Sequence, residues 1–283
     1  MVDKVGVIGG GLMGSGIAEV SARAGLDTVV VEVSDGAAKA AEERVRGSLE
    51  KAHARGKITD QDLATTLERI TFGTDLGQLA DRDLVVEAAS EREDVKLDLF
   101  KRLGALLEKD DAILTSNTSS IPIVKLGAVS GRADRVMGVH FFNPAPVMQL
   151  VELIPSLTTS PETLTRMQTW VSESLGKQPI EATDRAGFVV NSLLVPYLMS
   201  AIRMYEAGYA SAADIDKGMV LGCGHPMGPL ALSDLIGLDT IRSIGISMYD
   251  EFKEPLYSPP PLLDRMVDAG LLGKKAGHGF YAY

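Results

Sequence analysis

One histidine in this chain has the surroundings of a general base. His140 follows the apolar run Val136–Val139 and precedes two phenylalanines, Asn143, Pro144 and Pro146. The run predicts a buried strand and the prolines predict its end, so we expect His140 at the carboxyl edge of a sheet, where ligands bind in open α/β folds. Neutral imidazole, with a pKa of about 6.5, can accept a proton at neutral pH and return it. The pattern therefore predicts proton transfer at His140.

A glycine-rich loop near the N-terminus gives a second chemical signal. Gly9, Gly11 and Gly14 have the spacing G-x-G-x-x-G, directly after a strand pattern and before a helix pattern. This spacing allows a tight turn, close approach of a pyrophosphate, and close packing of helix on strand. Glu32 ends the next strand pattern, where a carboxylate accepts hydrogen bonds from an adenosine ribose and disfavours a 2′-phosphate. The loop predicts a dinucleotide, with NAD favoured over NADP; FAD shares the spacing, but no other flavin feature is visible.

The elements that must position these residues alternate between strand and helix patterns. Such alternation predicts a parallel sheet covered by helices on both faces. A helix pattern at Leu12–Ala24 follows the glycine loop, and Pro161–Leu175 also has helical spacing. The strand patterns cover Lys4–Ile8, Thr28–Glu32, Ile70–Gly73, Leu84–Glu87, Ile113–Thr115 and Val136–Phe141, with possible additions at Gln149–Ile154 and Gln178–Ala182.

The pattern changes after about Asp184, where helical spacing dominates and strand patterns nearly vanish. We therefore predict an α/β fold with two domains. Residues 1–183 form a doubly wound, NAD-binding sheet domain, and residues 184–283 form an all-helical domain for substrate binding and dimerisation. The apolar helical segment Asn191–Ile202 exceeds what one small bundle needs to bury, so we expect a homodimer through this domain.

Composition narrows the class of protein. The 283 residues are 45% hydrophobic and 23% charged, as in globular enzymes. A net charge of −10 without a basic cluster argues against nucleic acid as the main ligand. No apolar stretch has the length of a membrane span and no signal-peptide pattern is visible, so we expect no membrane partner and a cytoplasmic location. The single cysteine, Cys223, excludes an internal disulfide and is expected to be buried, and no metal site is predicted.

Four further segments carry a resemblance to a known family. They are VVEAASE (Val85–Glu91), SNTSSIP (Ser116–Pro122), HFFNPAPVMQLVELI (His140–Ile154) and GFVVNSLLVPYL (Gly187–Leu198). With the glycine loop they resemble the L-3-hydroxyacyl-CoA dehydrogenase family, closest to its short monofunctional 3-hydroxybutyryl-CoA type, over essentially the whole chain. The resemblance implies a Rossmann-type domain followed by a helical domain, and NAD-dependent oxidation of (S)-3-hydroxyacyl-CoA with 3-hydroxybutyryl-CoA favoured.

The resemblance also implies roles for individual residues. The family's catalytic histidine falls on His140, and the acid that pairs with it falls on Glu152, twelve residues on, which fits two adjacent strands joined by a turn. Ser119 and Asn191 match the groups that contact the substrate near the reacting carbon. The acyl-CoA substrate is also expected to meet Ser48 and Arg55, although some members carry lysine at the latter position. The expected cofactor contacts are Gly9, Gly11, Leu12, Met13, Gly14, Glu32, Glu91, Lys96, Ser119, Asn143 and Lys275.

Other interpretations of these residues are open at this point. Ser119 could instead cap a helix at Ile121–Leu126, Glu152 could lie on an exposed edge strand, and Lys96 could be a surface lysine. At the level of function, the chain could act on a free hydroxy acid such as L-gulonate. It could also be a non-catalytic protein, since lens λ-crystallins resemble the same scaffold. The presence of His140, Glu152, Ser119 and Asn191 together argues against lost catalysis.

Overall fold

The computed structural model describes residues 2–283, and the chain divides into two units, Met1–Asp184 and Arg185–Tyr283. The first unit is built on one eight-stranded sheet with the order β3-β2-β1-β4-β5-β6-β7-β8. Neighbouring strands are parallel except β6 and β7, which are antiparallel. The strands are β1 (Lys4–Ile8), β2 (Asp27–Val31), β3 (Ile70–Gly73), β4 (Leu84–Glu87), β5 (Ile113–Ser116), β6 (Val136–Phe141), β7 (Leu150–Pro155) and β8 (Gln178–Glu181).

The central strands carry near-continuous apolar runs because helices cover both faces of the sheet. Every residue of β4, β5 and β6 is buried. Trp170 lies in the same core, with its ring edge-on to that of Phe141 at 6.2 Å between centroids. The predicted α/β sheet is confirmed. Glu32 is the first residue after β2 rather than its last, so its side chain lies in the loop at the carboxyl edge.

Side-chain hydrogen bonds cap the start of several helices of the first unit. The Ser34 side chain accepts from the Ala37 amide at the start of α2, and Thr59 forms a reciprocal capping box with Asp62 at the start of α3. The predicted helix Pro161–Leu175 is α6 followed by a wider π-helical turn at Trp170–Ser174. The helices are α1 (Leu12–Arg23), α2 (Asp35–Ala54), α3 (Asp60–Glu68), α4 (Glu93–Leu106), α5 (Ile123–Ser130) and α6 (Pro161–Thr169).

The second unit is helical, as predicted, and it has its own apolar core around Leu198, Ile202, Leu230 and Ile241. Cys223, which we expected to be buried, is exposed, because it is the last residue of α8 and lies beside a terminating glycine. The helices are α7 (Val190–Glu206), α8 (Ala212–Cys223), α9 (Pro229–Ile236), α10 (Leu238–Phe252) and α11 (Pro261–Asp268).

Two buried aspartates fix the connections of this second unit. Asp216 accepts hydrogen bonds from the Leu230 and Ala231 amides at the start of α9, at 2.7 and 2.9 Å. Asp234 accepts from the Phe280 and Tyr281 amides, both at 2.9 Å, and so holds the C-terminal segment. Over residues 2–283, no helix combines the length and apolar character that crossing a membrane requires.

Candidate active site

The centre of the candidate site is a histidine bonded to a buried glutamate. The antiparallel register of β6 and β7 places His140 directly opposite Glu152, and Nδ1 of His140 lies 2.7 Å from Oε2 of Glu152. Both residues are buried, and Glu152 has no exposed surface at all. Because a carboxylate only accepts, this bond favours the proton on Nδ1 and leaves the lone pair on Nε2. Glu152 is therefore not a residue of an exposed edge strand.

The Ser116–Pro122 loop at the end of β5 is organised by Glu91. One oxygen of its carboxylate accepts from the Ser119 amide at 2.9 Å, the Ser120 hydroxyl at 3.0 Å and the Thr118 hydroxyl. Burial raises the pKa of Glu91, but the Lys96 ammonium and these donors outweigh burial, so the pKa lies below its usual range. The ionised carboxylate fixes the loop backbone at Ser119.

Lys96 is buried beneath this loop rather than exposed on the surface of α4. It is 1% exposed, and its ammonium group lies 2.6 and 2.8 Å from the two oxygens of Glu87 and 3.3 Å from Glu91. Glu87 also accepts from the Ser116 hydroxyl at 2.6 Å and the Ala89 amide at 2.7 Å. A buried ion pair needs such extra donors to offset desolvation. The network joins the loops that follow β4 and β5. Because Lys96 is buried, its interpretation as a surface lysine is wrong.

The helix-capping alternative for Ser119 is also wrong. The residue before α5 is Pro122, which has no side-chain cap. The first two amides of that helix, Ile123 and Val124, instead donate to Asp184 at 2.8 and 2.9 Å. The hydroxyl of Ser119 is therefore not needed by the helix.

Sequence reasoning missed one residue of this loop. The Asn117 side-chain carbonyl accepts from the Phe141 amide at 2.8 Å, next to His140. Asn117 therefore ties the end of β6 to the loop that carries Ser119. An asparagine directly after a buried strand was the available signal, since an amide at that point needs a polar partner.

The glycine loop lies beside a cavity of about 770 Å³ at the carboxyl ends of β1, β2 and β4. A Cβ on Gly14 would lie 1.7 Å from the Gly9 carbonyl oxygen, so helix and strand pack too closely for any side chain there. A Cβ on Gly11 would meet nothing within 4 Å, so the backbone is open at that point. The cavity is lined by Ile8, Gly9, Gly11, Val31, Glu32, Val33, Thr74, Leu76, Ala88, Ala89, Ser90, Asp94, Val95, Asp98, Leu99 and Arg102.

The start of α1 is suited to an anion. Gly11 caps the helix without a side-chain hydrogen bond, and the first turn contains no acidic residue, so its amides and dipole are not satisfied by a side chain. Glu32 accepts from the Gly10 amide at 2.6 Å and from the Val33 amide at 3.1 Å, which holds its carboxylate at the cavity wall. Open amides beside a carboxylate fit the pyrophosphate and the ribose of a dinucleotide.

A second cavity of about 350 Å³ lies between α1, α2 and the turn after β6. Leu12, Ser48 and Asn143 are among the residues that line it. Arg55, the other expected CoA contact, is the exposed C-terminal cap of α2. This cavity therefore brings two predicted cofactor residues, Leu12 and Asn143, together with one predicted substrate residue, Ser48.

Two predicted site residues belong to the second unit. Asn191 is half-buried in the first turn of α7, and the Lys275 ammonium pairs with both oxygens of Asp239 at 2.5 and 2.7 Å. The roles of Asn191 and Lys275 at the site stay predictions. In the first unit, the structure brings together His140 with Glu152, and Glu91 with Lys96 and Ser119.

Comparisons with known proteins cover the whole chain. The family model of the 3-hydroxyacyl-CoA dehydrogenase NAD binding domain matches residues 4–185, and that of the C-terminal domain matches residues 187–283. A 3-hydroxybutyryl-CoA dehydrogenase of Mycobacterium tuberculosis is 54% identical over 282 residues, which are 100% of this chain and 99% of that protein. Human mitochondrial hydroxyacyl-coenzyme A dehydrogenase is 44% identical over 290 residues, covering 100% and 92% of the two chains. A crystal structure of (S)-3-hydroxybutyryl-CoA dehydrogenase from Ralstonia eutropha has a TM-score of 0.94 at 45% identity, covering 100% and 99%.

Proposed function

Because the chain belongs to the 3-hydroxyacyl-CoA dehydrogenase family, we propose that it oxidises (S)-3-hydroxyacyl-CoA to 3-oxoacyl-CoA with NAD and catalyses the reverse reaction. We propose 3-hydroxybutyryl-CoA as its substrate, as named for its Mycobacterium and Ralstonia relatives. The observation that carries this proposal is the 2.7 Å bond between His140 and the fully buried Glu152. It provides a base with a fixed tautomer in the same unit as the glycine loop.

In this proposal His140 moves the proton of the reaction. Its Nε2 accepts the proton of the substrate's 3-hydroxyl group during oxidation and returns it to the carbonyl oxygen during reduction. Glu152 holds the ring through Nδ1 and stabilises the imidazolium as it forms. NAD, when bound, supplies the hydride acceptor for C3. Burial of both side chains keeps competing water away from their bond.

Ser119 and Asn191 orient the substrate in the same proposal. Hydrogen bonds from a hydroxyl and an amide to the reacting oxygen align C3 and stabilise charge that develops there. Glu91 acts on Ser119 indirectly, because it fixes the loop backbone at the Ser119 amide. Lys96 in turn keeps Glu91 ionised.

The residues that would hold NAD follow from the cavity at the glycine loop. The open amides at the start of α1 bind the pyrophosphate, and Glu32 binds the adenosine ribose. Lys96 belongs to the proposed set because the resemblance implies it, and its buried ammonium bonds Glu87 beneath the loop. The full proposed set is Gly9, Gly11, Leu12, Met13, Gly14, Glu32, Glu91, Lys96, Ser119, Asn143 and Lys275.

Glu32 is expected to make the enzyme selective for NADH over NADPH. A 2′-phosphate would meet the Glu32 carboxylate, and apposed like charges cost several kcal/mol, so kcat/KM with NADPH should be about 100-fold lower. Steady-state rates with the two cofactors measure this ratio. Glu32→Gln, which removes the charge, should reduce the preference for NADH over NADPH. Equal kcat/KM values for the two cofactors in the wild type would refute the role assigned to Glu32.

The substrate proposal is tested by comparing thioesters with free acids. We expect rapid NADH oxidation with acetoacetyl-CoA, and no comparable NAD reduction with L-gulonate, because Ser48 and Arg55 are proposed to bind the CoA part. Activity confined to free hydroxy acids would instead support the alternative of a dehydrogenase that acts on a free hydroxy acid such as L-gulonate. No turnover of either, with NADH still bound, would support a non-catalytic protein of the λ-crystallin kind.

A homodimer through the second unit is also proposed. Large apolar side chains remain exposed on its helices, including Leu193, Leu221, Leu235 and Ile246. Such exposure favours an interface between copies of the chain. Light scattering at micromolar concentration should give twice the mass of one chain, and Leu193→Glu should shift the mass toward the monomer. A wild-type monomer would contradict the proposal.

We further propose a cytoplasmic location for the enzyme. Cys223 is an exposed free thiol, and a free thiol persists in a reducing compartment. Fractionation of the source cells would place the protein.

A further inference from the structure

One buried carboxylate is not used by the proposed mechanism. Glu19 lies on α1 and is 1% exposed, and neither of its carboxylate oxygens has a hydrogen-bond partner among residues 2–283. The nearest guanidinium nitrogen, on Arg23, is 3.6 Å away, and the Ser48 hydroxyl stands close by without reaching hydrogen-bond geometry. Burial raises the pKa of Glu19 despite these two neighbours.

An unsatisfied buried carboxylate is costly, so native structures almost always supply a partner. Glu19 lines the cavity of about 350 Å³ between α1, α2 and the turn after β6. Its partner can therefore come from a ligand that enters this cavity. A ligand that carries a hydrogen-bond donor would satisfy these acceptor oxygens.

The walls of the cavity define the ligand further. The lining combines apolar residues, among them Leu12, Val45 and Pro144, with polar and charged residues, among them Ser48, Glu19, Arg44 and Lys51. A suitable occupant is an extended arm in which methylene groups separate secondary amides. The pantetheine arm of CoA has this structure, with two amide N–H donors between short apolar spacers. Ser48 lies on α2, whereas Glu19 lies on α1, and the Ser48 hydroxyl can donate to an amide carbonyl of the arm.

We propose that Glu19 is a substrate-binding residue that accepts a hydrogen bond from an amide N–H of the pantetheine arm. This inference rests on the proposed action on acyl-CoA. Glu19 and Ser48 then hold the arm from two helices, and the thioester end is directed toward the turn that carries Asn143. Glu19 takes no part in proton transfer at C3.

The test separates the arm from the reacting group. NADH oxidation is measured with acetoacetyl-pantetheine and with ethyl acetoacetate, which has the same reacting ketone but no amide. The enzyme concentration is raised until ethyl acetoacetate gives a measurable rate. In Glu19→Leu the ratio of kcat/KM for the pantetheine thioester to that for the ester should fall about tenfold, the value of one lost hydrogen bond to a charged group. Glu19→Gln keeps an acceptor oxygen and should restore most of the ratio.

The controls distinguish the possible failures. A general folding defect lowers both rates together, so it does not change the ratio of the two kcat/KM values. An unchanged ratio in Glu19→Leu would overturn the Glu19 inference. The matched control Glu42→Leu, at an exposed ion pair with Arg46 on α2, should keep the wild-type ratio. Wild-type protein that reduces neither compound nor acetoacetyl-CoA would overturn the proposed function itself.

Discussion

His140→Gln is expected to reduce the turnover of acetoacetyl-CoA with NADH by about 100-fold or more, because glutamine cannot transfer the proton. The side chain is close in size to histidine, and residues of the glycine loop remain intact. Binding of NADH, measured by fluorescence titration, should therefore change little. A fall in kcat with an unchanged Kd for NADH assigns the loss to chemistry.

A second histidine provides the matched control. His53 lies on α2 and pairs with the exposed Asp60, outside the proposed catalytic pair. His53→Gln should turn over acetoacetyl-CoA at the wild-type rate. Near-normal turnover by His140→Gln would remove the histidine from the mechanism.

Glu152→Gln is expected to reduce kcat by up to about 10,000-fold, the loss observed when the acid behind the histidine of a catalytic triad is made neutral. The amide keeps the size of the side chain but no longer stabilises the imidazolium. Its NH₂ group can also face Nδ1, which would favour the opposite tautomer. The KM for NADH should stay near the wild-type value, since the proposed role of Glu152 is to hold His140.

Glu162 on the exposed side of α6 serves as the control for this prediction. Its side chain is 68% exposed and lies 3.7 Å from Arg135, away from the proposed catalytic pair, so Glu162→Gln should retain full activity. Thermal unfolding of Glu152→Gln checks that the buried change leaves the domain folded. A folded Glu152→Gln protein with kcat within about threefold of the wild type would contradict the proposed role.

The strand-end pattern predicted His140, whereas the family resemblance implied its partner Glu152, and regular strand geometry agrees with that pairing. Twelve residues separate His140 from Glu152, and two short strands with a proline-rich turn between them bring such positions into register. The glycine loop was predictable for a similar reason, since Gly14 packs against the Gly9 carbonyl at a distance that admits no side chain.

Other features depend on tertiary packing that a local pattern does not encode. Lys96 occurs in a helix with charged neighbours, and nothing in that pattern distinguishes a surface lysine from one buried against Glu87. Glu19 likewise occurs in a plain helix pattern, and only the fold shows that its oxygens are buried. The capping role considered for Ser119 failed because Asp184, more than 60 residues away, satisfies the amides of α5.

The central claim is that His140 performs proton transfer on a 3-oxoacyl or 3-hydroxyacyl thioester. The most direct measurement is the loss of NADH absorbance with acetoacetyl-CoA, run in parallel for the wild type and His140→Gln at saturating NADH. We predict turnover by the wild type and a rate lower by about 100-fold or more for the variant. Equal rates for the two proteins, or no NADH loss with the wild type, would contradict the claim.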